Sequence, residues 1–144
     1  TTWEERKRLE KGQRSAGEAM ESVARALPAL TRAEKIQGKA ARAGFDWPDV
    51  SGALDKLSEE LEELKIAVAE GTNVEEELGD LLFAAAKVGR FAGVDPELAL
   101  QRACDKFIRR FRGVERLAGD KPLEGRPIEE LNDLWRQAKE HEDL

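Results

Sequence analysis

Helix-forming residues fill almost the whole chain, and this limits the folds it can adopt more than any other feature. The sequence has no tyrosine and few β-branched runs, whereas Ala, Leu, Glu, Lys and Arg dominate its long stretches. Residues that end helices divide these stretches at Pro28, at Gly44, and within 71–73 (GTN), 93–96 (GVDP) and 119–127 (GDKPLEGRP). The pattern predicts an all-α protein.

Five helices are predicted between these breaks, at residues 29–43, 49–70, 74–92, 96–117 and 128–142. A further helical segment within residues 3–27 is weakened by its glycines. Asp95 before Pro96 is typical of a helix start, and Gly93 of the end of the preceding helix. We interpret 119–127 as a flexible linker before the last helix.

Length and charge restrict the class of protein. The 144 residues, with 40% hydrophobic content, are enough for one domain with its own core, so a single domain over 1–144 is expected. The net charge of −6 argues against a nucleic-acid partner, although a local basic cluster could still hold a small phosphorylated ligand. Because the first residue is Thr1 rather than Met, the sequence is also interpreted as either an excised half of a longer protein or a processed chain.

Cysteine content and hydropathy indicate the compartment. Cys104 is the single cysteine of the sequence, which excludes an internal disulfide framework and a cysteine-rich zinc site. Any bound metal would therefore have oxygen ligands. The sequence has no apolar run of the roughly 18 to 20 residues that a membrane span needs, and its start lacks a signal-peptide pattern. We expect a cytoplasmic protein with no membrane partner.

Acidic residues lie beside the apolar stripes of two neighbouring predicted helices. In the helix 49–70, Lys56, Glu60 and Glu63 border an apolar stripe. In the helix 74–92, Glu77 and Asp80 fall on or beside a second stripe. The two stripes consist of Leu54, Leu57, Leu61, Leu64 and Val68, and of Leu81, Ala84, Val88 and Phe91.

The short GTN connection predicts that these helices form an antiparallel hairpin. At about 1.5 Å of rise per residue, Glu63 and Asp80 lie at nearly the same height, with Glu60 and Glu77 about one turn to either side. Four carboxylates at one partly buried patch repel each other unless protons or cations neutralise them. A solvated acidic face is the simpler interpretation of each helix taken alone. Two facing pairs favour a site for Mg²⁺, or for Mn²⁺ as its substitute.

Several motifs in order resemble a known family. KLSEELEELK, followed by EEELGDLLFAAAKVGRFAGVDPELALQRACDKFIRRFRGVE, is similar to the EExxE and ExxD motifs of the MazG nucleoside triphosphate pyrophosphohydrolases. KIQGKAARAGFDW and the closing tryptophan helix match as well, and the similarity is greatest to the C-terminal catalytic half of two-domain bacterial MazG proteins. The resemblance implies a MazG-type helical bundle, a homodimer with a four-helix core, and hydrolysis of a nucleoside triphosphate to the monophosphate and pyrophosphate.

The resemblance also implies roles for individual residues. It assigns the metal ligands to Glu60, Glu63, Glu77 and Asp80, the same four that the helical wheels select. It assigns substrate contacts to Lys56, Glu59, Lys106, Arg109, Arg110 and Trp135. Among these residues, Glu59, Glu60, Lys106 and Arg110 are the catalytic candidates. Either Glu59 or a ligand carboxylate would activate the attacking water.

The sequence allows two roles for each of three aromatic residues and predicts a structural role for Cys104. Phe45 and Trp47 could stack on a nucleobase or pin their loop against the bundle. Trp135 lies on an apolar helix face, which also suits a core residue. Cys104 is expected to be a small buried residue on the apolar stripe of the helix 96–117, together with Leu100, Ala103, Phe107, Phe111 and Val114.

Two alternative functions fit the same fold. One is a catalytically silent helical dimerisation or adaptor module, against which the complete set of acids argues. The other is a narrower pyrophosphohydrolase acting on dUTP, dCTP or phosphoribosyl-ATP. The GFDW stretch favours broad hydrolysis of ribo- and deoxyribonucleoside triphosphates over these narrower substrates.

Overall fold

A computed structural model describes residues 2–12 and 15–142, and the described chain contains helices and connecting segments without strands. The helices are α1 (Trp3–Glu10), α2 (Ala16–Glu21), α3 (Ala29–Arg42), α4 (Val50–Glu70), α5 (Val74–Phe91), α6 (Pro96–Ala118) and α7 (Ile128–Glu142). The all-α prediction is confirmed. The five predicted helices agree with α3 to α7 to within one residue at each end, and the weaker N-terminal segment contains α1 and α2.

Local signals in the sequence explain where these helices begin and end. Asp95 accepts a hydrogen bond from the Glu97 backbone N–H at 3.0 Å, so it caps α6 just before Pro96, as predicted. Gly71 has a left-handed backbone (φ 71°) at the end of α4, and Asn73 (φ 57°) precedes α5. These two residues make the sharp reversal that joins α4 to α5.

The chain divides into two compact units, one ending at Glu97 and the other beginning at Leu98. The prediction of one domain over the full length stays a prediction. In the first unit, α4 packs along α5, α3 packs against α5, and α2 packs against α3. Its buried apolar residues are mostly alanines, which let helices approach closely: Ala19, Val23, Ala53, Ala67, Ala84 and Ala86.

The second unit has a small core of its own between α6 and α7. Val114 of α6 packs with Leu134 and Ala138 of α7, and Trp135 packs partly buried against this cluster. The segment 119–127, interpreted as a flexible linker, carries internal hydrogen bonds. The Arg126 side chain donates to the backbone carbonyls of Pro122 at 3.0 Å and Lys121 at 3.1 Å.

The apolar stripes are less buried than the sequence predicted. On α4, Leu54 is 46% exposed and Val68 is 62% exposed. On α6, Phe107 is 58% exposed and Cys104 is exposed, so the prediction of a buried Cys104 was wrong. A helical stripe is buried only where a second element covers it, and among the residues expected on the α6 stripe only Val114 is buried.

Candidate functional site

The α4–α5 hairpin brings three of the four predicted metal ligands together. Glu60 on α4 and Glu77 and Asp80 on α5 each offer one carboxylate oxygen, and these oxygens all lie within 4.8 Å of one another. Glu60 is only 5% exposed, because it faces α5 from the edge of the apolar stripe. The spacing of ExxE and ExxD motifs on packed helices therefore produces a compact acidic cluster.

Two carboxylate oxygens of this cluster lack a hydrogen-bond donor among the residues that the structure describes. Lys56 Nζ lies 3.0 Å from Glu60 Oε1 and satisfies one side of that carboxylate. Glu60 Oε2 and Glu77 Oε2 are buried and have no partner. A buried acceptor without a donor is unfavourable, and a hard cation with oxygen ligands would satisfy both atoms. These residues therefore fit a divalent cation.

The fourth predicted ligand, Glu63, interacts with Glu77. The pKa of Glu77 is raised, first by burial, then by a side-chain hydrogen bond and the charge of Glu63, and then by the charges of Asp80 and Glu60. Glu63 is thus a neighbour of Glu77, although it lies outside the group of three. Glu62, by contrast, points outward and pairs with Lys65 at 3.0 Å.

The predicted substrate contacts fall into two sets. On α4, Lys56 Nζ lies 3.5 Å from Glu59 Oε1, and Glu59 is exposed. The other set, Lys106, Arg109, Arg110 and Trp135, belongs to the second unit. Lys56 is thus the predicted substrate contact that the structure brings into direct contact with the acidic cluster of the first unit.

Within the second unit, Arg110 makes the shorter of the two ion pairs that the predicted substrate contacts form with Glu142. Its Nε donates to Glu142 Oε2 at 2.7 Å, and its guanidinium lies 5.9 Å from the centre of the Trp135 ring. Arg109 Nε is 3.9 Å from Glu142 Oε1, while Lys106 is exposed. Trp135 is half-buried, and its ring centroid is 5.2 Å from that of Phe107. Trp135 thus combines a core contact with a partly accessible ring.

The GFDW loop is pinned to the helices by its tryptophan. Trp47 lies under Lys87 Nζ, 4.3 Å from the ring centroid, and packs directly against Gly52 of α4. These contacts favour the loop-pinning role of Trp47. Phe45 is 79% exposed, so the structure does not bury it against the bundle.

Two polar contacts between α5 and other elements were missed in the sequence. Gln37 of α3 is 2% exposed, and its Nε2 donates to the Phe83 carbonyl at 2.8 Å. Arg90 of α5 pairs with Asp46 of the loop at 2.7 Å. Gln37 follows Leu30 by seven residues on α3, so a polar residue on an apolar helical line was the available signal.

Comparison with known proteins gives consistent matches. The sequence profile described as the MazG nucleotide pyrophosphohydrolase domain matches residues 49–114. The Nucleoside triphosphate pyrophosphohydrolase of Escherichia coli (strain K12) is 42% identical over 146 residues, covering 97% of this chain and 56% of that protein. The Nucleoside triphosphate pyrophosphohydrolase/pyrophosphatase MazG of Thermotoga maritima is 43% identical over 139 residues, covering 95% of this chain and 54% of that protein.

The chain thus spans about half the length of these two relatives. The matched residues 49–114 include α4, α5 and most of α6, and therefore all four predicted metal ligands. Within the described part of the chain, no helix is both long enough and apolar enough to cross a bilayer.

Proposed function

Because the chain belongs to the MazG family through residues 49–114, we propose that it hydrolyses nucleoside triphosphates to the nucleoside monophosphate and pyrophosphate. The relatives from E. coli and T. maritima carry the name of this activity. The observation that carries the proposal is that carboxylate oxygens of Glu60, Glu77 and Asp80 lie within 4.8 Å of one another. In this cluster, Glu60 Oε2 and Glu77 Oε2 have no hydrogen-bond donor among the described residues. A helical adaptor would have no need for such a costly cluster.

The acidic cluster would hold Mg²⁺, with Mn²⁺ as a possible substitute. Glu60, Glu77 and Asp80 offer carboxylate oxygens, and Glu63 is the proposed fourth ligand because it lies against Glu77. Mg²⁺ prefers a few carboxylates together with waters and substrate phosphates. When bound, the cation would offset the negative charge of the triphosphate and polarise its α-phosphorus toward in-line attack by water.

The side chains around the cluster have distinct proposed roles. Lys56, paired with Glu60 at 3.0 Å, balances carboxylate charge and is positioned to contact a phosphate oxygen. Either Glu59, which is exposed on the next turn, or a ligand carboxylate would accept the proton of the attacking water. The proton moves to that carboxylate, the new oxygen–phosphorus bond forms, and pyrophosphate leaves.

The cationic residues of the second unit are proposed substrate contacts. The guanidinium groups of Arg110 and Arg109 can each donate two parallel hydrogen bonds to phosphate oxygens, whereas Lys106 adds a compact positive charge. These cations would stabilise the charge that develops on the phosphates in the transition state, and Lys106 and Arg110 are the proposed catalytic members. Trp135, with its half-buried ring, offers a face for a nucleobase.

A product assay tests the proposed reaction. The chain is incubated separately with the four ribonucleoside and four deoxyribonucleoside triphosphates and Mg²⁺, and the products are separated. We expect monophosphate and pyrophosphate from several of these substrates. Chelation with EDTA should abolish turnover and excess Mg²⁺ should restore it, because the carboxylates alone cannot offset the triphosphate charge. Diphosphate and inorganic phosphate as products, or full turnover in EDTA, would contradict the proposal.

A further inference from the structure

A cavity of about 270 Å³ in the first unit is lined by positive charge. It lies between α1, the start of α2 and the last turn of α3. Its described lining contains none of the four proposed metal ligands. The cationic side chains that line it are Lys7, Arg8, Lys11, Lys39 and Arg42.

The lining is basic even though the chain as a whole carries a net charge of −6. Against five cations, the described lining residues include two carboxylates, Glu4 and Glu5, so three positive charges are in excess. Both carboxylates are already engaged. Glu4 lies 3.1 Å from Arg42 Nε, and Glu5 accepts the Thr2 backbone N–H at 3.1 Å in the capping box of α1.

This concentration of cations is unfavourable in the free protein. Burial, followed by the charges of Lys11, Arg42 and Lys7, lowers the pKa of Lys39, and only Glu4 acts in the opposite direction. A second cavity, of about 530 Å³, shares Lys7, Lys39 and Arg42 with the first. These three cations therefore face space on both sides that a counter-ion could enter.

We propose that this basic cavity binds a small anion that carries phosphate groups, of the size of pyrophosphate. Arginine and lysine together favour phosphate oxygens, because the guanidinium can donate two parallel hydrogen bonds and the ammonium adds a mobile point charge. The volume of about 270 Å³ accommodates a small anion of this kind. The cavity shares no described lining residue with the four proposed metal ligands, and its lining is basic whereas the metal ligands are acidic.

Titration calorimetry with inorganic pyrophosphate tests the proposal, with inorganic phosphate as the second probe. EDTA is present throughout, so that neither metal binding nor hydrolysis contributes. We expect saturable binding of pyrophosphate at one site per chain, weaker binding of inorganic phosphate, and loss of affinity as salt rises. Lys39→Ala should weaken the binding about tenfold or more, and combining it with Lys7→Ala should abolish it.

Two matched variants distinguish the cavity from other basic surfaces. Lys65→Ala, on the exposed face of α4, and Lys121→Ala, exposed in the segment 119–127, should both bind pyrophosphate as the unaltered chain does. If Lys106→Ala, among the proposed substrate contacts, abolishes binding while Lys39→Ala does not, the anion binds elsewhere and the proposal is overturned. The absence of saturable binding in the unaltered chain would overturn it as well.

A thermal unfolding measurement shows whether a variant that loses pyrophosphate binding is still folded. Because Lys39 is repelled by its neighbours, Lys39→Ala should raise the Tm of the anion-free chain, and pyrophosphate should raise the Tm of the unaltered chain more than that of the variant. If Lys39→Ala lowers the Tm but still binds pyrophosphate, this result would contradict the proposed repulsion between Lys39 and its neighbouring cations. None of these measurements involves turnover, so this proposal and the hydrolase proposal can fail independently.

Discussion

At the scale of single residues, Glu60 combines the features that make the acidic cluster a candidate metal site. It is 5% exposed, Lys56 occupies one of its oxygens, and its other oxygen has no partner among the described residues. A buried carboxylate in this state costs free energy that only a partner can recover. Removal of one acid from the cluster therefore reduces repulsion in the metal-free chain while it weakens the site.

Glu60→Ala and Asp80→Ala should each lower kcat/KM by about 100-fold or more, since even the groups that support metal ligands are worth 10- to 100-fold. The far-ultraviolet circular dichroism of both variants should stay helical. Glu62→Ala is the matched control, because Glu62 lies on the same helix but points outward to Lys65. Full activity of Glu60→Ala or Asp80→Ala at saturating Mg²⁺, with a helical spectrum, would refute the site.

The ion pair between Asp46 and Arg90 should make the free energy of unfolding depend on pH in the acidic range. Burial by itself would raise the pKa of Asp46, but hydrogen bonds from Arg90 and the Trp47 backbone, together with the charges of Arg90 and Lys87, lower it. Because the folded pKa is the lower one, this contribution to stability is present above the unfolded pKa of about 4 and is lost as pH falls through the folded value.

Asp46→Asn should therefore lower the free energy of unfolding at pH 7 by about 1 kcal/mol and flatten its decline in acid. Urea unfolding between pH 7 and pH 3 measures both effects. Asp55→Asn, an exposed position on α4, serves as the control and should keep the acid dependence of the unaltered chain. Parallel curves for Asp46→Asn and the unaltered chain would show that the pair does not stabilise the fold.

At the scale of elements, helix spacing in the first unit depends on small residues. The buried positions of α4 and α5 are mainly alanines, and Trp47 lies directly against Gly52. Close packing of this kind leaves no room for an added side chain. The position of the α4–α5 hairpin, and with it the acidic cluster, thus follows from residue size as much as from hydrophobicity.

Gly52→Ala should destabilise the chain by about 1–3 kcal/mol, because a β-carbon at this position would overlap Trp47 Cδ1. Gly79→Ala is the matched control on α5, where a β-carbon would meet no atom within 4 Å. That substitution should instead stabilise by about 0.5–1 kcal/mol through helix propensity. Thermal unfolding followed by circular dichroism measures both changes, and an equal effect of the two would contradict the packing argument.

Helix positions were the part of the structure most readily predicted from sequence. Asp95 with Pro96, and Gly71 at the end of α4, have local causes that act within a few residues. The Asp46–Arg90 pair spans 44 positions of the chain, so no local pattern could indicate it. The basic cavity likewise depends on how α1 meets α3.

At the scale of the whole molecule, exposed apolar residues bear on assembly. Leu54, Leu61 and Val68 recur every seven residues along α4 and are 46%, 42% and 62% exposed. Repeated apolar exposure of this kind is characteristic of an interaction surface. Because the resemblance to the MazG proteins also implies a homodimer, we propose that the chain forms a homodimer around a four-helix core.

Light scattering after gel filtration should give a mass of twice 16.1 kDa for the chain. Val68→Asp should shift this mass toward 16.1 kDa, because a charge on the apolar stripe would have to be buried on association. Ala69→Asp, the next exposed residue of α4, should leave the mass unchanged. A monomeric unaltered chain at micromolar concentration would contradict the proposed dimer.

By itself, the sequence determined the helices, the tight α4–α5 connection and the presence of Glu60, Glu77 and Asp80 along facing edges. These properties follow from backbone preferences and helical periodicity, which act over short distances. Only the tertiary structure decided that Glu63 contacts Glu77 without joining the group of three, that much of the α4 and α6 stripes is exposed, and that cations of α1 and α3 line a cavity. Those outcomes depend on which elements cover one another, and periodicity within one helix carries no information about its neighbour.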